Sequence, residues 1–311
     1  MFSFKENIKN LLNLIISVYL MKIESFLENL YEKNYKKLLF TSLGLLLISL
    51  IILGVNYVST GSVIDKDISL KGGTSITINK EGLNQAEISS FLSEKYSDVN
   101  VRTLADFSSR KNIGLIVESS DVDESELKAS LKEKIDFEEA QYSAEIYSSS
   151  FSDSFFKQLI YVLIFSFILV AIVVSITFRT FIPSLAVILA AVTDILLTVA
   201  ILSLFDFKIS SGGITALLLI IGYSIDTDIL LTTKLIKRNI GTMYERLWQS
   251  MKTGLTMTSA TIVAVSIALM FSTAPVLKEI FLIILVALFI DIITTYVGNA
   301  SMLIWHIKNK K

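Results

Sequence analysis

The chain contains no cysteine and only one histidine. The lack of cysteine excludes disulfides, thiol chemistry and cysteine-ligated metals. The single histidine, His306, lies near the C-terminus and cannot form a histidine cluster. The sequence also lacks the phosphate-binding motif G-x-x-x-x-G-K-[ST] and any convincing G-x-G-x-x-G. No nucleophile, base and acid suggest themselves as a catalytic set, so we predict a protein that is not an enzyme and uses no cofactor or metal.

Proline is scarce, and the overall charge is nearly balanced. The two prolines, Pro183 and Pro275, stand at or beside the starts of apolar runs, where a missing N–H group is harmless to a helix. The net charge of −1 gives no indication of nucleic-acid binding. Residues 57–155, however, contain 18 acidic and 10 basic side chains, whereas the rest of the chain is basic. We therefore expect two differently exposed parts.

Long apolar runs dominate the remaining sequence. Hydrophobic residues make up 52% of the chain and the mean hydropathy is +0.63, which is too apolar for an ordinary soluble domain. About 20 apolar residues suffice to cross the hydrocarbon core of a bilayer. Six runs reach that length, so the sequence predicts a polytopic α-helical membrane protein with six transmembrane helices. They cover residues 38–58, 156–178, 183–205, 212–233, 254–273 and 279–304.

Lysine and arginine in the short connections predict the orientation, since cytoplasmic loops carry an excess of both. Basic residues cluster before the first span, between the fourth and fifth spans and after the sixth. With six crossings these segments share one side, so we predict a multi-pass protein of the cell membrane with both termini cytoplasmic, including a tail at 305–311. Residues 1–37 are interpreted as an amphipathic segment on the inner membrane surface. A packed cytoplasmic helix is an equal alternative.

The acidic block at 59–155 is predicted to form one extracytoplasmic α+β domain between the first and second spans. The stretches "GTSITIN", "NVRTLADF", "NIGLIVES" and "EAQYSAEIY" have strand-like patterns, and a polar turn is expected at Ser108–Lys111. Helices are predicted over "AEISSFLSEKY", capped by Asn84, and over "DESELKASLKEKI". The resulting order, β-α-β-β-α-β, is that of a ferredoxin-like fold. A serine-rich tether, "SSSFSDS", would then lead back to the membrane.

Ionisable side chains inside the predicted spans are the main candidates for a functional site. A charged side chain at mid-membrane costs roughly 2.5–3.5 kcal/mol even on lenient scales, so each requires an explanation. Asp194 and Asp226 differ in depth by only ~5 Å, so they could meet in the bundle interior. Asp226 and Asp228 lie roughly 200° apart around their helix and cannot share a face. The candidates are Asp194, Asp226, Asp228 and Lys252, with Asp291 as a weaker one.

Two interpretations of these residues stay open. Carboxylates in a membrane can bind and release protons or cations, which would couple the protein to an ion gradient. Alternatively, an aspartate held by Lys252 or by nearby threonine hydroxyls would only dock helices. The similar depth of the carboxylates favours ion coupling. Gly72 and Gly73 form a separate motif, which is best explained by a turn or bulge that allows close approach of the backbone.

The stretch "IGYSIDTDILLTTKLIKR", at residues 221–238, resembles the fourth-span signature of the SecD/SecF family of protein-export membrane proteins, in its archaeal SecF branch. Bacterial relatives read GYSINDT-like there, so Asp226 occupies the place of their Asn and Thr227 that of their Asp. The stretch "AAVTDILLTVAILSLFDF" is similar to the third span of the family, with Asp194 at its acidic position. The stretch "MKTGLTMTSAT" is similar to the start of the fifth span, with Lys252 where bacterial members have Arg.

The resemblance runs from the first span to the C-terminus. The stretch "SLKGGTSI" resembles the D-F-x-G-G-like motif after the first span, although Ser69 and Leu70 replace Asp and Phe. The resemblance implies membership of the resistance-nodulation-division superfamily. It further implies an accessory subunit in the lipid bilayer that acts with a SecD-like subunit beside the protein-conducting translocon. Such a subunit would use the ion-motive force to favour outward movement of the translocating polypeptide.

The same resemblance implies roles for individual residues. Asp194 and Asp226 would be ion-coupling residues, and Lys252 would be their counter-charge. Two alternatives stay open at this point. One is a small-molecule exporter of the same superfamily. The other is a structural subunit that supports SecD without ion coupling of its own.

Overall fold

A computed structural model describes residues 2–105, 111–238, 241–272 and 274–310 of the chain. Long helices and one small sheet make up the described residues. The helices are α1 (Phe2–Thr60), α2 (Ile68–Lys71), α3 (Gln85–Lys95), α4 (Glu124–Lys134), α5 (Ser149–Phe178), α6 (Phe181–Leu204), α7 (Ser211–Thr232), α8 (Met243–Phe271), α9 (Pro275–Ile293) and α10 (Ala300–Asn309). The strands are β1 (Gly73–Ile78), β2 (Val99–Ala105), β3 (Asn112–Ser119) and β4 (Tyr142–Tyr147), and a short 3₁₀ turn occupies Glu139–Gln141. Two π-helical segments, Thr233–Lys237 and Thr294–Asn299, directly follow α7 and α9.

Six helical stretches in the described part of the chain are long and apolar enough to cross a membrane, which confirms the predicted number of spans. The chain is therefore a multi-pass membrane protein. The stretches are Glu28–Thr60, Phe151–Phe178, Phe181–Leu204, Ser211–Lys237, Met243–Phe271 and Pro275–Asn309.

Helix α1 is longer than one crossing requires. It has 59 residues, which extend over about 88 Å at ~1.5 Å per residue, whereas the hydrocarbon core of a bilayer is ~30 Å thick. Tyr31 is buried and belongs to one apolar cluster with Leu231 and Leu303. The first turns of the span Glu28–Thr60 thus pack on the bundle. A surface location for the residues before it stays a prediction.

Helices α6, α7 and α9 form the centre of the bundle. The most apolar windows of these three spans are 67%, 56% and 50% buried, whereas those of α1, α5 and α8 are only 6–11% buried. Buried alanines, such as Ala191, Ala216 and Ala287, allow the central backbones to approach closely. The carboxylates predicted to be functional all lie on these three helices.

Residues 61–147 contain the sheet and are called the sheet domain below. The strand order is β2-β3-β1-β4, and all neighbouring strands are antiparallel. Ile76 and Ile78 of β1 point to the face covered by α3 and α4, where they pack with Leu92 and Leu131. The strands and helices follow one another as β-α-β-β-α-β, as predicted. The predicted turn at Ser108–Lys111 lies almost entirely outside the described residues.

The predicted serine-rich tether after the sheet domain is wrong. Helix α5 begins at Ser149, so "SSSFSDS" forms its N-cap and first turns. Phe151 and Phe155 stack in these turns with ring centroids 5.7 Å apart. Serine and aspartate are as typical of a helix N-terminus as of a loop, and composition alone did not separate the two.

The sheet domain is hydrogen-bonded to the connection between α6 and α7. The Asp67 N–H donates to the Ile209 carbonyl at 3.0 Å, and the Ile209 N–H donates to the Asp65 carbonyl at 2.7 Å. Arg102 of β2 forms ion pairs with Glu118 of β3 and with Asp67. These contacts are called the junction below.

Candidate functional site

Asp194 lies in the middle of α6 and is fully buried. Both of its carboxylate oxygens accept hydrogen bonds from hydroxyl groups. Ser224 of α7 donates to Oδ2, and Thr294 of the π-segment after α9 donates to Oδ1. The carboxylate therefore joins the three central helices through neutral donors.

Asp228 of α7 and Asp291 of α9 are also buried, with 0% and 1% exposure. The Thr295 Oγ1 atom lies 2.9 Å from Asp228 Oδ1 and 3.2 Å from Asp291 Oδ1. Asn299 Nδ2 donates to the same Asp228 oxygen at 2.7 Å. The adjacent residues Thr294 and Thr295 thus connect Asp194 with Asp228 and Asp291, and the three aspartates are called the carboxylate cluster below.

The donors to the cluster come mainly from the π-helical segment Thr294–Asn299. In this segment the Ala300 N–H donates to the Thr295 carbonyl, five residues earlier, instead of four as in an α-helix. The wider turn presents Thr294, Thr295 and Asn299 to the carboxylates. Isolated π-helical turns within helices frequently occur at functional sites.

Two acceptor oxygens of the cluster, Asp228 Oδ2 and Asp291 Oδ2, have no hydrogen-bond partner among the described residues, and neither has Asn299 Oδ1. The donors described for these carboxylates are uncharged hydroxyl and amide groups. A buried carboxylate without a cation is strongly unfavourable unless it is neutralised. The arrangement is therefore suited to binding a proton or another small cation. In the described ranges, no group of three or more histidine or acidic side chains is placed to hold a metal ion.

Lys252 is not among the donors described for the carboxylate cluster. Its side chain is exposed on α8, where it is the tenth of 29 residues. The prediction that Lys252 is the counter-charge of the aspartates is therefore not supported by its position, because the donors that contact the cluster are hydroxyls and an amide. Lysine has a long apolar stem and can keep its ammonium group in a wetter environment than the position of its Cα atom suggests.

The predicted meeting of Asp194 and Asp226 is wrong. Asp226 is exposed on the outer side of α7, whereas Asp228 points inward. Asp226 and Asp228 were expected to face different directions around α7, as they do. Ser224 and Asp228, four residues apart, share the buried face of α7 with Leu217 and Ile221. That helical spacing of polar residues among buried apolar ones was the available signal for choosing Asp228.

The hydroxyl and amide donors were not identified from the sequence. Thr294, Thr295 and Asn299 follow Asp291 at intervals of three, four and eight residues. Such intervals place side chains near one face of a helix. This pattern indicated that polar side chains lie near Asp291. It gave no sign of the π-helical geometry that directs Thr295 and Asn299 toward Asp228.

The Gly72–Gly73 motif has the structural role that was favoured. Gly72 has φ +89° and Gly73 has φ +130°, which L side chains rarely adopt. A Cβ atom at Gly72 would collide with the Ser149 backbone, and one at Gly73 would collide with the Ser119 carbonyl. Close backbone approach is thus confirmed for both.

A second polar region lies between the sheet domain and the nearby ends of α7, α8 and α9. It surrounds a cavity of about 460 Å³, lined in part by Arg102, Glu118, Glu145 and Glu279. Burial and, next, the neighbouring Asp67 raise the pKa of Glu118, and Arg102 only partly opposes this. The contacts described for this region hold the junction together.

These features define a class of membrane protein with six spans, a sheet domain between the first two, and buried carboxylates on three central helices. The same fold is found in the crystal structure of SecDF, a translocon-associated membrane protein from Thermus thermophilus, with a TM-score of 0.68 and 19% sequence identity. The match covers 89% of this chain and 38% of that chain.

Sequence comparisons identify the family. The family model "Protein export membrane protein SecD/SecF, C-terminal" matches residues 126–309. The protein-export membrane protein SecF of Pyrococcus furiosus is 33% identical over 290 residues, which cover 93% of this chain and 97% of the relative. The SecF of Methanolacinia petrolearia is 34% identical over 292 residues, covering 90% and 96%. The chain belongs to the SecD/SecF family of protein-export membrane proteins, as its motifs indicated, and is an accessory subunit of protein export.

Proposed function

We propose that this export subunit acts with a SecD-like subunit beside the translocon and uses the ion-motive force to favour outward movement of the translocating polypeptide. The observation that carries the proposal is the carboxylate cluster. Asp194, Asp228 and Asp291 are buried, and the hydroxyl and amide groups that donate to them are neutral. Binding and release of a proton or cation there would change the charge of the bundle centre.

Charge in the apolar interior of a membrane protein is energetically costly. Even one mid-membrane carboxylate costs roughly 2.5–3.5 kcal/mol, and like charges in one site raise that cost further. The cluster is therefore stable only when most of its charge is neutralised. Because neutralisation depends on the ions available on either side of the membrane, the packing of α6, α7 and α9 responds to an ion gradient.

The exposed face of α7 supports a SecD-like partner. Thr215, Leu219, Gly222 and Asp226 are exposed and lie on one face of the helix. A carboxylate facing lipid at this depth is unfavourable, and polar residues in spans usually face a bundle interior. A Cβ atom at Gly222 would meet no atom of this chain within 4 Å, so a second helix can approach closely there. We therefore assign this face to SecD, which would supply a donor to Asp226.

The sheet domain is proposed to be an extracytoplasmic ferredoxin-like domain, with both termini in the cytoplasm of a cell-membrane protein. Its element order and its strand order β2-β3-β1-β4 support the fold assignment. The basic loops support the orientation. No catalytic role is proposed for any residue. The relatives compared above are named for protein export, which supports this function over a small-molecule exporter.

The direct test is protein export in cells that carry Asp194→Asn or Asp228→Asn, with membrane level and SecD association measured in the same cells. Both variants are expected to reduce export while assembly is retained. Asp206→Asn is the matched control, because Asp206 is exposed and its φ of +52° is tolerated by asparagine. Normal export by both cluster variants would favour a structural subunit that supports SecD.

The partner face has its own test. Asp226→Asn is expected to weaken association with SecD without changing the membrane level of the chain. Asp228→Asn is expected to leave that association intact, because Asp228 is buried within this chain. Equal association for both variants would remove Asp226 from the interface.

A further inference from the structure

Tyr31 contacts the carboxylate cluster indirectly, through the backbone of the π-helical segment. Its hydroxyl donates to the Tyr296 carbonyl, and its side chain is only 3% exposed. The Ala300 N–H donates to the Thr295 carbonyl, so Tyr296 holds the next carbonyl along the chain. Where a π-helical turn returns to α-helical hydrogen bonding, one backbone carbonyl receives no backbone N–H donor. A buried carbonyl of that kind needs another donor, and Tyr31 supplies one.

The register of this segment decides whether the carboxylates have donors. Removing the extra residue of a π-turn rotates one side of the helix by ~100° relative to the other and shortens it by ~1.5 Å. Thr294 and Asn299 lie on opposite sides of the π-helical turn. Thr294 binds Asp194, and Asn299 binds Asp228. Both contacts therefore cannot persist in a regular α-helix.

The segment is also held from two sides by close packing. The Tyr296 hydroxyl lies where a Cβ atom at Gly254 of α8 would be, and Ser42 of α1 lies where a Cβ atom at Gly298 would be. Helix α1 thus contacts the segment twice, at Tyr31 and at Ser42. It then continues without interruption to Thr60, which precedes the junction at Asp65 and Asp67.

We propose that Tyr31 is a positioning residue that holds the π-helical register of Thr294–Asn299 and links the carboxylate cluster through α1 to the junction with the sheet domain. The inference rests on the proposed function, since it states how a change of charge in the cluster reaches the sheet domain. A change in the charge of Asp228 alters its hydrogen bonds with Thr295 and Asn299. The resulting shift of the π-helical segment reaches α1 through the Tyr31 hydrogen bond. Tyr31 does not touch the transported ion.

The test uses hydrogen exchange of the purified full chain in complex with its SecD partner. Tyr31→Phe removes only the hydroxyl, and Tyr35→Phe is the matched control, since the Tyr35 ring packs against Lys308 one turn further along α1. The amides of residues 294–300 are expected to exchange about 2- to 10-fold faster in Tyr31→Phe, as for the loss of one buried hydrogen bond. Tyr35→Phe is expected to leave them unchanged. Equal rates for the two variants would overturn the positioning role.

The link to the junction is tested by combining these variants with Asp228→Asn. With Tyr31 present, Asp228→Asn is expected to change exchange at residues 65–67 and 207–210 by at least about twofold. The same substitution in Tyr31→Phe is expected to leave those amides unaltered, whereas in Tyr35→Phe it retains its effect. An effect of Asp228→Asn that is independent of Tyr31, or no effect at all, would contradict the link.

Export assays separate this inference from the proposed function. If Asp228→Asn abolishes gradient-dependent export and Tyr31→Phe leaves it at the wild-type level, the positioning role fails while ion coupling stands. If Asp228→Asn itself leaves export normal, ion coupling fails. If both variants lose gradient-dependent export and retain SecD association, both proposals are supported.

Discussion

Asp228 and Asp291 share the hydroxyl of Thr295, which lies 2.9 Å from one carboxylate and 3.2 Å from the other. A threonine hydroxyl has one proton to donate and lone pairs that accept. It can donate to only one of the two carboxylates at a time. The other contact is satisfied only when that carboxyl group carries a proton and donates it to the threonine oxygen. The shared hydroxyl therefore favours a state in which at most one of the two carboxyl groups is charged.

The first prediction concerns this hydroxyl. Thr295→Val removes the donor and keeps the branched shape, so both carboxylates lose a partner. Hydrogen bonds to charged groups contribute about 1.5–3 kcal/mol, so export is expected to fall about tenfold or more. Thr295→Ser keeps the hydroxyl and is expected to remain near the wild-type level. The check is export with membrane level as a control, and equal export by the two variants would exclude the shared donor.

The second prediction concerns packing beside the π-helical segment. Gly254→Ala places a methyl group against the buried Tyr296 hydroxyl. Such overpacking is expected to destabilise the protein by about 1–3 kcal/mol. Thermal unfolding of the purified protein would measure the loss. Adding Tyr296→Phe removes the colliding oxygen and is expected to recover most of it, whereas additive losses in the double variant would contradict the contact.

The third prediction separates backbone conformation from close approach at Gly72. Gly72→Ala combines a positive φ with a collision against the Ser149 backbone, whereas Gly82→Ala has a φ of +78° with open space around it. A positive φ alone costs roughly 1–2 kcal/mol for a side chain other than glycine. Gly72→Ala is expected to lower the unfolding temperature clearly more than Gly82→Ala. Equal losses would show that the Ser149 contact contributes nothing.

The fourth prediction concerns pH and Glu118 in the sheet domain. Burial raises the pKa of Glu118 above its ordinary value of 4.5. The folded state then binds this proton more tightly than the unfolded state does. The contribution to stability is fully present below the unfolded pKa and is lost as the pH rises through the folded pKa. The glutamine in Glu118→Gln does not titrate, so this variant is expected to show a flatter dependence of stability on pH in this range.

The measurement for Glu118 is hydrogen exchange of the β3 amides in the full chain between pH 4 and 8, corrected for intrinsic exchange rates. In the wild type, protection is expected to decrease toward higher pH more steeply than in Glu118→Gln. Parallel profiles in the two proteins would show that Glu118 is not the titrating group.

Much of the fold follows from patterns in the sequence. The six spans follow from apolar length, and the order of strands and helices in the sheet domain follows from alternation and capping residues such as Asn84, whose side chain accepts from the Ala86 N–H at 3.1 Å. The start of α5 did not follow, because serine-rich sequence suits both a loop and a helix N-terminus. The boundary at Ser149 depends on packing that composition does not contain.

The site was predicted only in part. The set of intramembrane aspartates was visible, but the choice between Asp226 and Asp228 depends on how α7 is rotated against α6 and α9. The π-helical segment depends on long-range partners, including Tyr31 and the carboxylates themselves. Local sequence carries no direct sign of those contacts, so Thr294, Thr295 and Asn299 were found only in the structure.

The central claim, that the carboxylate cluster couples export to an ion gradient, is tested most directly in proteoliposomes containing this chain, its SecD partner and the translocon. Export into the vesicles is measured with and without an imposed proton or sodium gradient. The account predicts that the gradient stimulates export with the wild type and with Asp206→Asn, and that Asp228→Asn removes the stimulation while gradient-independent export continues. Full stimulation with Asp228→Asn would contradict the account.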